Sequence, residues 1–519
     1  MTRTAKIGIA AALAAALVGL AGCSAGTTSQ AASESVVIDR TFDVQTLDPA
    51  RMFSATGNLV LHHIYQTLLT FEGSDITTPV DGLASYEFSE DFKVMTLTMK
   101  GGATFSDGTP VTVDDAVFSL QRLQGIAGNP SFLLENVVVA KASDTTLTLT
   151  SPEPNPTLAA ILPSPSLGIV NSKEVKSNGG TIDDKDTAEA YLNETSAGSG
   201  PYMLESADIN TQFRLKLNPN FTGNKPVKTT VVIRNVGSDI QVINVQSGES
   251  QIAIDLNSDQ IRSLDAAKTN VQTGLSTSTI FLLLNQSSTI NKWTANPKFL
   301  EAVKYAIDYD QILSLAGPDA VRPGGVVPQG IAGAIDSQKG VSTDLAAAKI
   351  ALEESGYNGD EIELGFPSDL SEFGVFFQPL AESIQAQLKE LGINVTLAPK
   401  PTGPSLDSYR AGKEQMTIWS WIADYPDPSD YLLFLPGEIV GLRGNWSAGS
   451  AELDSLKKAA IDARDQASRV AAYEELQAAM ASEGPFIVLA QPAANIVSSV
   501  SINSVVPNAM WGLNIDTIK

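Results

Sequence analysis

Alternating apolar and polar residues mark two strands, with a helix between them, in the first third of the chain. Residues 94–99 (VMTLTM) and 145–150 (TTLTLT) have the two-residue period of strands that are buried on one face. Residues 106–110 (SDGTP) have the Asp, Gly and Pro of a tight turn. Thr112 and Asp115 form a capping box that opens a helix. Its apolar stripe consists of Val113, Ala116, Val117, Leu120 and Leu123.

The second half of the chain has a different rhythm, in which strands and helices alternate. Residues 361–366 (EIELGF) alternate as a strand, residues 377–391 have one apolar helical face, and residues 393–397 alternate again. This order predicts a βαβ unit, whose strands should be parallel. Further helices are predicted at 297–315, 343–355 and 451–482, and a buried strand at 486–489. The fold class is therefore α/β.

A strand with two tryptophans comes before a loop with two aspartates. Residues 416–421 (MTIWSW) alternate, with Trp419 and Trp421 on the same side, and Asp424 lies just beyond the carboxyl end of this strand. Ligands of open α/β sheets bind in the crevice beyond such ends. Two interpretations remain open from spacing alone. The tryptophans could be core residues and Asp424 and Asp427 turn residues beside prolines, or the segment could bind a ligand.

The amino-terminal residues predict export. Residues 1–22 carry Arg3 and Lys6 and an apolar run that is too short to span a membrane, which is typical of a signal peptide. The run ends in LAGC, which resembles the lipobox of bacterial lipoproteins and predicts lipidation of Cys23, the only cysteine. Residues 24–35 are small and polar and read as a flexible tether. We expect the protein to be anchored by lipid to the outer face of the cell membrane.

The net charge and the missing motifs exclude several kinds of function. The formal charge of −24 disfavours nucleic acid as a partner. Ser455 and Lys458 match a Ser-x-x-Lys pattern, but the companion motifs of penicillin-recognising enzymes are absent, and a solvated helix face is the better interpretation. His62 and His63 are adjacent on a predicted helix and cannot jointly hold one metal ion in the usual spacing. We therefore expect no enzyme activity, no cofactor and no metal site.

Seven blocks of sequence, taken in order, resemble one family. They are FSDGTPVTVDDAVFSL (105–120), GSGPY (198–202), VQSGESQIAID (245–255), FLLLN (281–285), FLEAVKYAIDYDQIL (299–313), DLAAAKIALEESGY (344–357) and WIADYPDP (421–428). The chain resembles the extracytoplasmic solute-binding proteins of the peptide/nickel class, family 5, which serve ATP-binding-cassette (ABC) importers. The resemblance covers nearly all of the chain after the signal peptide.

The resemblance implies a two-lobed fold of the periplasmic-binding-protein type (type II, cluster C) with an additional domain. The first lobe would consist of residues 36–78, 197–283 and 486–519, the additional domain of 79–196, and the second lobe of 284–485. Two connecting strands, near Leu284 and Pro485, would form the hinge.

The resemblance also implies where the ligand binds. In family members that bind peptides, an aspartate at the position of Asp424 pairs with the α-ammonium group of the ligand. The other candidate ligand-binding residues are Trp419, Trp421, Tyr425, Met52, Phe53, Ser54, Thr56, Asn285 and Trp446. Asn285 could equally satisfy the backbone of the hinge. Family members of the nickel branch use a histidine late in the chain, and this sequence has none there.

We therefore expect a monomeric substrate-binding component of an ABC importer for oligopeptides or dipeptides. Its partners would be a small-molecule ligand, the permease and its ATPase subunits. Within the same class, the alternatives are an oligosaccharide, an opine-like conjugate or a metal chelate as ligand. From another class, the alternative is a secreted hydrolase that uses acidic residues in a cleft.

Overall fold

Three main sheets organise the computed structural model, which describes residues 34–519. The predicted signal peptide, Cys23 and most of the tether lie outside the described residues. Within the described part, no helix is both long and apolar enough to cross a membrane.

The first sheet has seven strands, which come from distant parts of the chain. In spatial order they are Thr269–Leu275, Ala493–Ser499, Ile252–Ala253, Ser35–Arg40, Thr230–Asn235, Gln212–Leu217 and Tyr202–Asp208. The helices Ala55–Ile64, Ser238–Ser247 and Ser258–Arg262 accompany this sheet. Alternate strand residues such as Val36, Ile38 and Ile233 are fully buried, so the two-residue period of these segments marks a real core face.

The second sheet has five strands and carries most of the remaining helices. Its strands, in spatial order, are Val395–Lys400, Ile362–Pro367, Met416–Ile422, Ser278–Leu284 and Phe486–Ala490. Its helices are Pro297–Ala306, Tyr309–Ala316, Leu345–Ser355, Phe377–Leu391, Thr402–Arg410, Ala451–Asp462 and Gln466–Glu483. One face of the sheet packs around Phe299 and Ile384, and the other packs around Phe434 and Phe486.

The βαβ unit predicted in the second half is confirmed. Ile362–Pro367 and Val395–Lys400 pair in parallel, and the helix Phe377–Leu391 connects them. Two stretches predicted as single helices are each divided in two. Asp308 and Asp465 cap new helices, because each side chain accepts a backbone N–H group of the following turn.

The third sheet forms the core of the segment predicted as an additional domain. It consists of Ala84–Phe88, Val94–Met99, Thr146–Thr150 and Val138–Lys141. The helices Val113–Gly125, Leu158–Ile161, Ser172–Ser177 and Glu189–Glu194 belong to the same part of the chain. The capping box of Thr112 and Asp115 is present as predicted, and the two strands recognised from alternation pair with each other.

The secondary structure of residues 34–519 also includes six short 3-10 helices and three small antiparallel pairs, in which each strand has two residues. The 3-10 helices are Asn129–Leu134, Pro165–Leu167, Ser337–Lys339, Pro428–Phe434, Gly441–Gly444 and Ile515–Thr517. The antiparallel pairs are Leu69–Thr70 with Val80–Asp81, Ser371–Glu372 with Val375–Phe376, and Pro507–Asn508 with Gly512–Leu513.

The chain crosses between the first and second sheets at residues 276–277 and 491–492. Ser276 Oγ donates a hydrogen bond to the carbonyl of Pro492 at 2.6 Å, and Gln491 Nε2 donates to the carbonyl of Ser276 at 2.7 Å. The predicted hinge positions near Leu284 and Pro485 are corrected by this arrangement. Ser278–Leu284 and Phe486–Ala490 pair with each other inside the second sheet, so both crossings lie at the opposite ends of these strands.

A buried arginine joins the first lobe to the third-sheet region. The Arg122 guanidinium donates to both carboxylate oxygens of Asp48, at 2.6 and 2.7 Å, and to both oxygens of Asp186, at 2.8 Å each. Both carboxylates are fully buried. Burial alone would raise the pKa of Asp186, but the hydrogen bonds from Arg122 and its charge outweigh this and lower the pKa to about 2.

Replacing Arg122 with leucine should lower the free energy of unfolding by about 3–5 kcal/mol, because two buried carboxylates would lose their buried cation and keep only the more exposed Arg51. Urea unfolding followed by circular dichroism measures the change. Arg262→Leu is the control, since it removes an exposed arginine that pairs with Asp259 and should cost less than about 1 kcal/mol. Equal effects of the two substitutions would contradict the assigned role of Arg122.

Candidate functional site

The loop after the strand Met416–Ile422 lies where the chain crosses between the sheets. The strand pairs in antiparallel register with Ser278–Leu284, so that Ile422 is opposite Ser278. Ala423 N then donates a hydrogen bond to the carbonyl of Thr277, in the first crossing segment, at 3.0 Å. Asp424 follows directly. The carboxyl end of this strand therefore lies beside the first crossing, and Asp424 lies just beyond that end, as the sequence predicts.

The two tryptophans of this strand pack against other aromatic side chains. Trp419 is 5% exposed and stacks on the ring of Tyr409, with 5.0 Å between the centroids. Trp421 is half-buried and packs edge to face against Phe434 at 5.6 Å. Trp419 is therefore mainly a core residue. Trp421 keeps part of its surface accessible beside Asp424.

The carboxylate of Asp424 has no partner among residues 34–519. Its side chain is half-buried, it accepts no hydrogen bond, and no ion pair joins it to a lysine or arginine in that range. Burial raises the pKa of Asp424 to about 6, although the charge of Arg443 partly offsets this. The Arg443 guanidinium lies instead over the rings of Tyr409 and Trp421, at 5.1 and 5.6 Å from the centroids.

A second carboxyl group, that of Asp430, holds the Asp424 loop in place. Asp430 Oδ2 accepts hydrogen bonds from the Trp421 indole N–H at 3.0 Å and from the backbone N–H of Asp424 at 3.2 Å. Asp430 is 1% exposed, and its other oxygen, Oδ1, is buried without a hydrogen-bond partner in the described chain. Burial raises the pKa of Asp430 well above its usual value, and the charge of Asp424 adds to this.

Sequence reasoning missed Asp430. It lies two residues after Pro428 in the 3-10 helix Pro428–Phe434, and an aspartate in a short surface turn is normally exposed to solvent. The sequence shows that Asp430 lies in the turn directly after the Asp424 loop. It does not show that the side chain of Asp430 points inward.

The third-sheet region contacts the Asp424 loop. Tyr425 packs against the hydrophobic core of the third-sheet region, and Phe53 packs against the same core. The hydroxyl groups of Thr157 and Ser429 are 3.0 Å apart, which adds a polar contact between that region and the Asp424 loop. The structure thus packs Tyr425 of the Asp424 loop and Phe53 against the same core, while Trp421 and the Asp424 backbone share the Asp430 carboxylate.

One family model matches more than half of the chain. The model for bacterial extracellular solute-binding proteins, family 5, matches residues 78–438, which include the third-sheet region and the Asp424 loop. The chain belongs to this family.

Relatives within family 5 align with almost the entire chain. The probable D,D-dipeptide-binding periplasmic protein DdpA of Escherichia coli is 27% identical over 497 residues, covering 93% of this chain and 94% of its own length. The periplasmic oligopeptide-binding protein OppA of Escherichia coli is 25% identical over 505 residues, covering 91% and 89%. The ABC transporter substrate-binding protein CtaP of Listeria monocytogenes shares the fold, with a TM-score of 0.81, 18% identity, and coverage of 93% and 98%. Solved structural neighbours such as CtaP are two-lobed, and this chain has the same fold.

The first-lobe candidates follow Asp48 and differ in their accessibility. Met52 is 1% exposed and Thr56 is fully buried, and Thr56 accepts a hydrogen bond from Asp43 N. Ser54 is the N-cap of the helix Ala55–Ile64, where its hydroxyl accepts the N–H of Gly57. Phe53 is half-buried and packs edge to face against Phe132. Of the four, Phe53 and Ser54 retain accessible surface.

Asn285 and Trp446 lie at the other end of the second sheet from Asp424. Asn285 follows the carboxyl end of Ser278–Leu284, which runs antiparallel to the Trp419 strand, so a seven-residue strand of about 20 Å separates the two ends. Asn285 donates to the carbonyls of Gly412 and Glu414. Trp446 lines a separate cavity of about 930 Å³ at that end. The structure does not bring either residue together with Asp424.

The two histidines are packed in the helix, as the sequence predicts. His63 is 1% exposed, and its ring nitrogens contact the carbonyl of Leu59 at 2.8 Å and the backbone N–H of Ile515 at 2.9 Å. His62 stacks on Trp511, with 3.7 Å between the centroids. Among residues 34–519 there is no group of three or more metal-ligating side chains suited to a metal ion.

Asp427, the other aspartate of the loop, belongs to the supporting structure. Its side chain caps the 3-10 helix Pro428–Phe434 by accepting the N–H of Ser429. Both of its carboxylate oxygens also accept hydrogen bonds from Arg469, at 2.7 and 2.9 Å. Asp427 thus has the cation that Asp424 lacks.

Replacing Arg469 with methionine should lower the free energy of unfolding by about 1–3 kcal/mol, because the mostly buried Asp427 would lose its counter-ion. Thermal and urea unfolding measure the loss. Lys458→Met, in an exposed pair with Asp462, is the control and should change stability by about 0.5 kcal/mol or less. A loss of unfolding free energy for Arg469→Met no larger than that for Lys458→Met would show that Asp427 does not depend on Arg469.

Proposed function

We propose that this protein captures short peptides with a free amino terminus outside the cytoplasmic membrane and delivers them to the permease of an ABC importer. The ligand would lie between the two lobes, with its α-ammonium group against Asp424. The observation that supports this best is the half-buried Asp424 carboxylate, which has no cation in contact among residues 34–519.

The electrostatics of Asp424 favour a cationic ligand group. A desolvated carboxylate without a counter-ion is costly, and a cation that also donates hydrogen bonds offsets this cost. An α-ammonium group supplies one positive charge and three N–H donors. The accessible part of Trp421 lies beside Asp424 and offers a ring face, which attracts cations and apolar side chains without reading a particular sequence.

The names of the relatives agree with a peptide ligand. DdpA is described as a probable D,D-dipeptide-binding protein and OppA as an oligopeptide-binding protein, and both are described as periplasmic. This chain covers about nine-tenths of each, so the comparison includes the region of the Asp424 loop.

Ligand capture would proceed by movement about the two crossings. Only two short segments, residues 276–277 and 491–492, connect the first and second sheets, and they are hydrogen-bonded to each other. The lobes also touch elsewhere, since a Cβ atom added to Gly374 would lie 2.7 Å from the Cα atom of Asn257. A ligand that contacts both lobes binds the closed form better and therefore shifts the equilibrium towards it.

The remaining features of the proposed function come from the sequence. Cys23 would carry the lipid anchor, residues 24–35 would give the folded part freedom above the membrane, and the closed form would dock on the permease as a monomer. Domain boundaries at residues 78/79 and 196/197 are part of the same proposal.

Asp424→Asn should weaken the binding of a peptide with a free amino terminus by about 30-fold or more, because the charge pairing is lost. Isothermal titration calorimetry with a di- to pentapeptide series measures this. The matched control is the same peptide with an acetylated amino terminus, which the wild-type protein should already bind weakly and the variant no more weakly. Equal affinity of wild type and variant for the free peptide would contradict the role of Asp424.

The same titrations separate the other ligand classes. Tight binding of an oligosaccharide or a metal chelate, with no dependence on a free amino group, would show that the ligand belongs to that class and is not a peptide. Release of product from the bound compound would instead indicate a hydrolase.

A further inference from the structure

Two basic side chains, Lys304 and Arg322, line one small cavity in the second lobe. The cavity has a volume of about 20 Å³, and the other described residues that line it are uncharged, with no aspartate or glutamate among them. It lies beside the start of the strand Phe486–Ala490, whose first residue pairs with Leu283. Asp424 lies beyond the opposite end of these strands, so the cavity is separate from the peptide site proposed above.

Lys304 is a buried cation that contacts only uncharged oxygen atoms. It belongs to the helix Pro297–Ala306 and is 4% exposed. Its Nζ atom donates hydrogen bonds to the carbonyls of Ala481 and Ser482, at 2.8 and 2.7 Å, in the last turn of the helix Gln466–Glu483. These bonds use two of the three N–H donors of the ammonium group. Within residues 34–519, no carboxylate forms an ion pair with Lys304.

Arg322 is a half-buried cation whose donors are mostly unused. Its guanidinium lies over the ring of Tyr309, with Cζ 3.4 Å from the centroid. Nε donates a hydrogen bond to the carbonyl of Val488 at 3.3 Å, and Nη2 donates to the carbonyl of Val341. A guanidinium has five N–H donors, so three of them have no acceptor in the described chain. Arg322 forms no ion pair there either.

The acids nearest to Lys304 do not neutralise it. Burial lowers the pKa of Lys304 to about 8, although the charges of Glu301 and Glu483 oppose this. Both acids have other partners, since Glu301 pairs with Lys298 and Glu483 accepts two hydrogen bonds from Ser450. Lys304 is therefore left without a counter-ion in the described part of the protein.

Arg322 is in the same position. Burial lowers its pKa, and Asp310 opposes this through its charge without forming an ion pair. A buried charge is costly unless it is paired and hydrogen-bonded. With a formal charge of −24 the chain has acids in excess, yet neither of these two cations is paired with one among residues 34–519.

We propose that the cavity binds one small inorganic anion, a halide such as chloride, through the remaining N–H donors of Lys304 and Arg322. The anion would supply the negative charge that the surrounding side chains do not provide. The volume limits the size of the ion. A cavity of about 10–15 Å³ holds one water molecule, so about 20 Å³ admits a monatomic anion and excludes phosphate, sulphate and carboxylates.

The larger cavity that Trp446 lines gives a halide a path to this site. Its volume is about 930 Å³, and it shares Lys304, Val341 and Ala481 with the small cavity as lining residues. These residues separate the two spaces. A halide that enters the larger cavity therefore meets Lys304 first.

The experiment measures thermal unfolding at constant ionic strength. Sodium gluconate, whose anion is too large for the cavity, is replaced stepwise by sodium chloride or sodium bromide, and circular dichroism gives the melting temperature. Because an ion that binds only the folded protein stabilises it, the Tm of the wild-type protein should rise by about 1–3 °C and level off as the site fills.

Variants of the two cations separate a bound halide from a general effect of salt. Lys304→Met and Arg322→Met should each remove at least about two-thirds of the rise, because each deletes a positive charge at the site. Arg322→Lys keeps the charge and should retain more of the rise than Arg322→Met. Lys298→Met is the matched control, since Lys298 lies on the same helix as Lys304 but is exposed, and the full rise should remain.

Bromide also gives a direct readout that needs no variant. Crystals of the wild-type protein grown with sodium bromide should show an anomalous peak in contact with Lys304 and Arg322. An equal rise of Tm in the wild type and in all the variants would indicate a general salt effect. A cavity without a bromide peak would hold only water, with Lys304 and Arg322 serving as donors to backbone carbonyls. Either result would overturn the inference, and neither would bear on peptide binding at Asp424.

Discussion

Negative charge is buried at several places in this acidic protein, and the rest of the structure depends on how each buried carboxylate is neutralised. Arg122 binds Asp48 and Asp186 at once, and thereby fixes the start of the first-lobe loop against the third-sheet region. Arg234 pairs with the fully buried Asp39 in the first sheet, at 2.7 and 3.0 Å. Each pair repays the loss of hydration through short, bidentate contacts.

The Asp424 loop departs from this rule at one point. Arg469 neutralises Asp427, so the base of the loop is built like the other buried pairs. Within residues 34–519, Asp424 and Asp430 form no ion pair with an arginine, although Arg443 is near enough to act on Asp424 through its charge. If Asp424 binds the ligand cation as proposed, a cation held there permanently would have to be displaced by the ligand. An unpaired carboxylate would then make part of the cost of folding recoverable on ligand binding.

The sequence predicted what depends on near neighbours along the chain. The capping box of Thr112, the parallel βαβ unit and the strand that ends before Asp424 were all readable, because hydrophobic period and capping chemistry are local properties. The predicted hinge positions near Leu284 and Pro485 differ from the crossings in the structure. The pairing of Ser278–Leu284 with Phe486–Ala490 joins segments about 200 residues apart, so no local sequence pattern indicates it. Asn285 and Asp424 each follow the carboxyl end of a strand, and because the two strands are antiparallel these ends lie at opposite edges of the sheet. The buried state of Asp430 depends on packing around a short turn, which periodicity does not describe.

The packing of the tryptophans determines how selective the site can be. Alternation placed Trp419 and Trp421 on one side of the strand, and the structure shows that this side faces an aromatic core that includes Tyr409 and Phe434. With Trp419 buried, only Trp421 and Tyr425 remain beside Asp424 as aromatic surface from the loop. If Asp424 binds the ligand as proposed, recognition at that end of the ligand would depend on one charge and its hydrogen bonds more than on aromatic stacking. A charge common to all free amino termini discriminates little between side chains, so such a site would accept peptides of many sequences while rejecting ligands that lack the ammonium group.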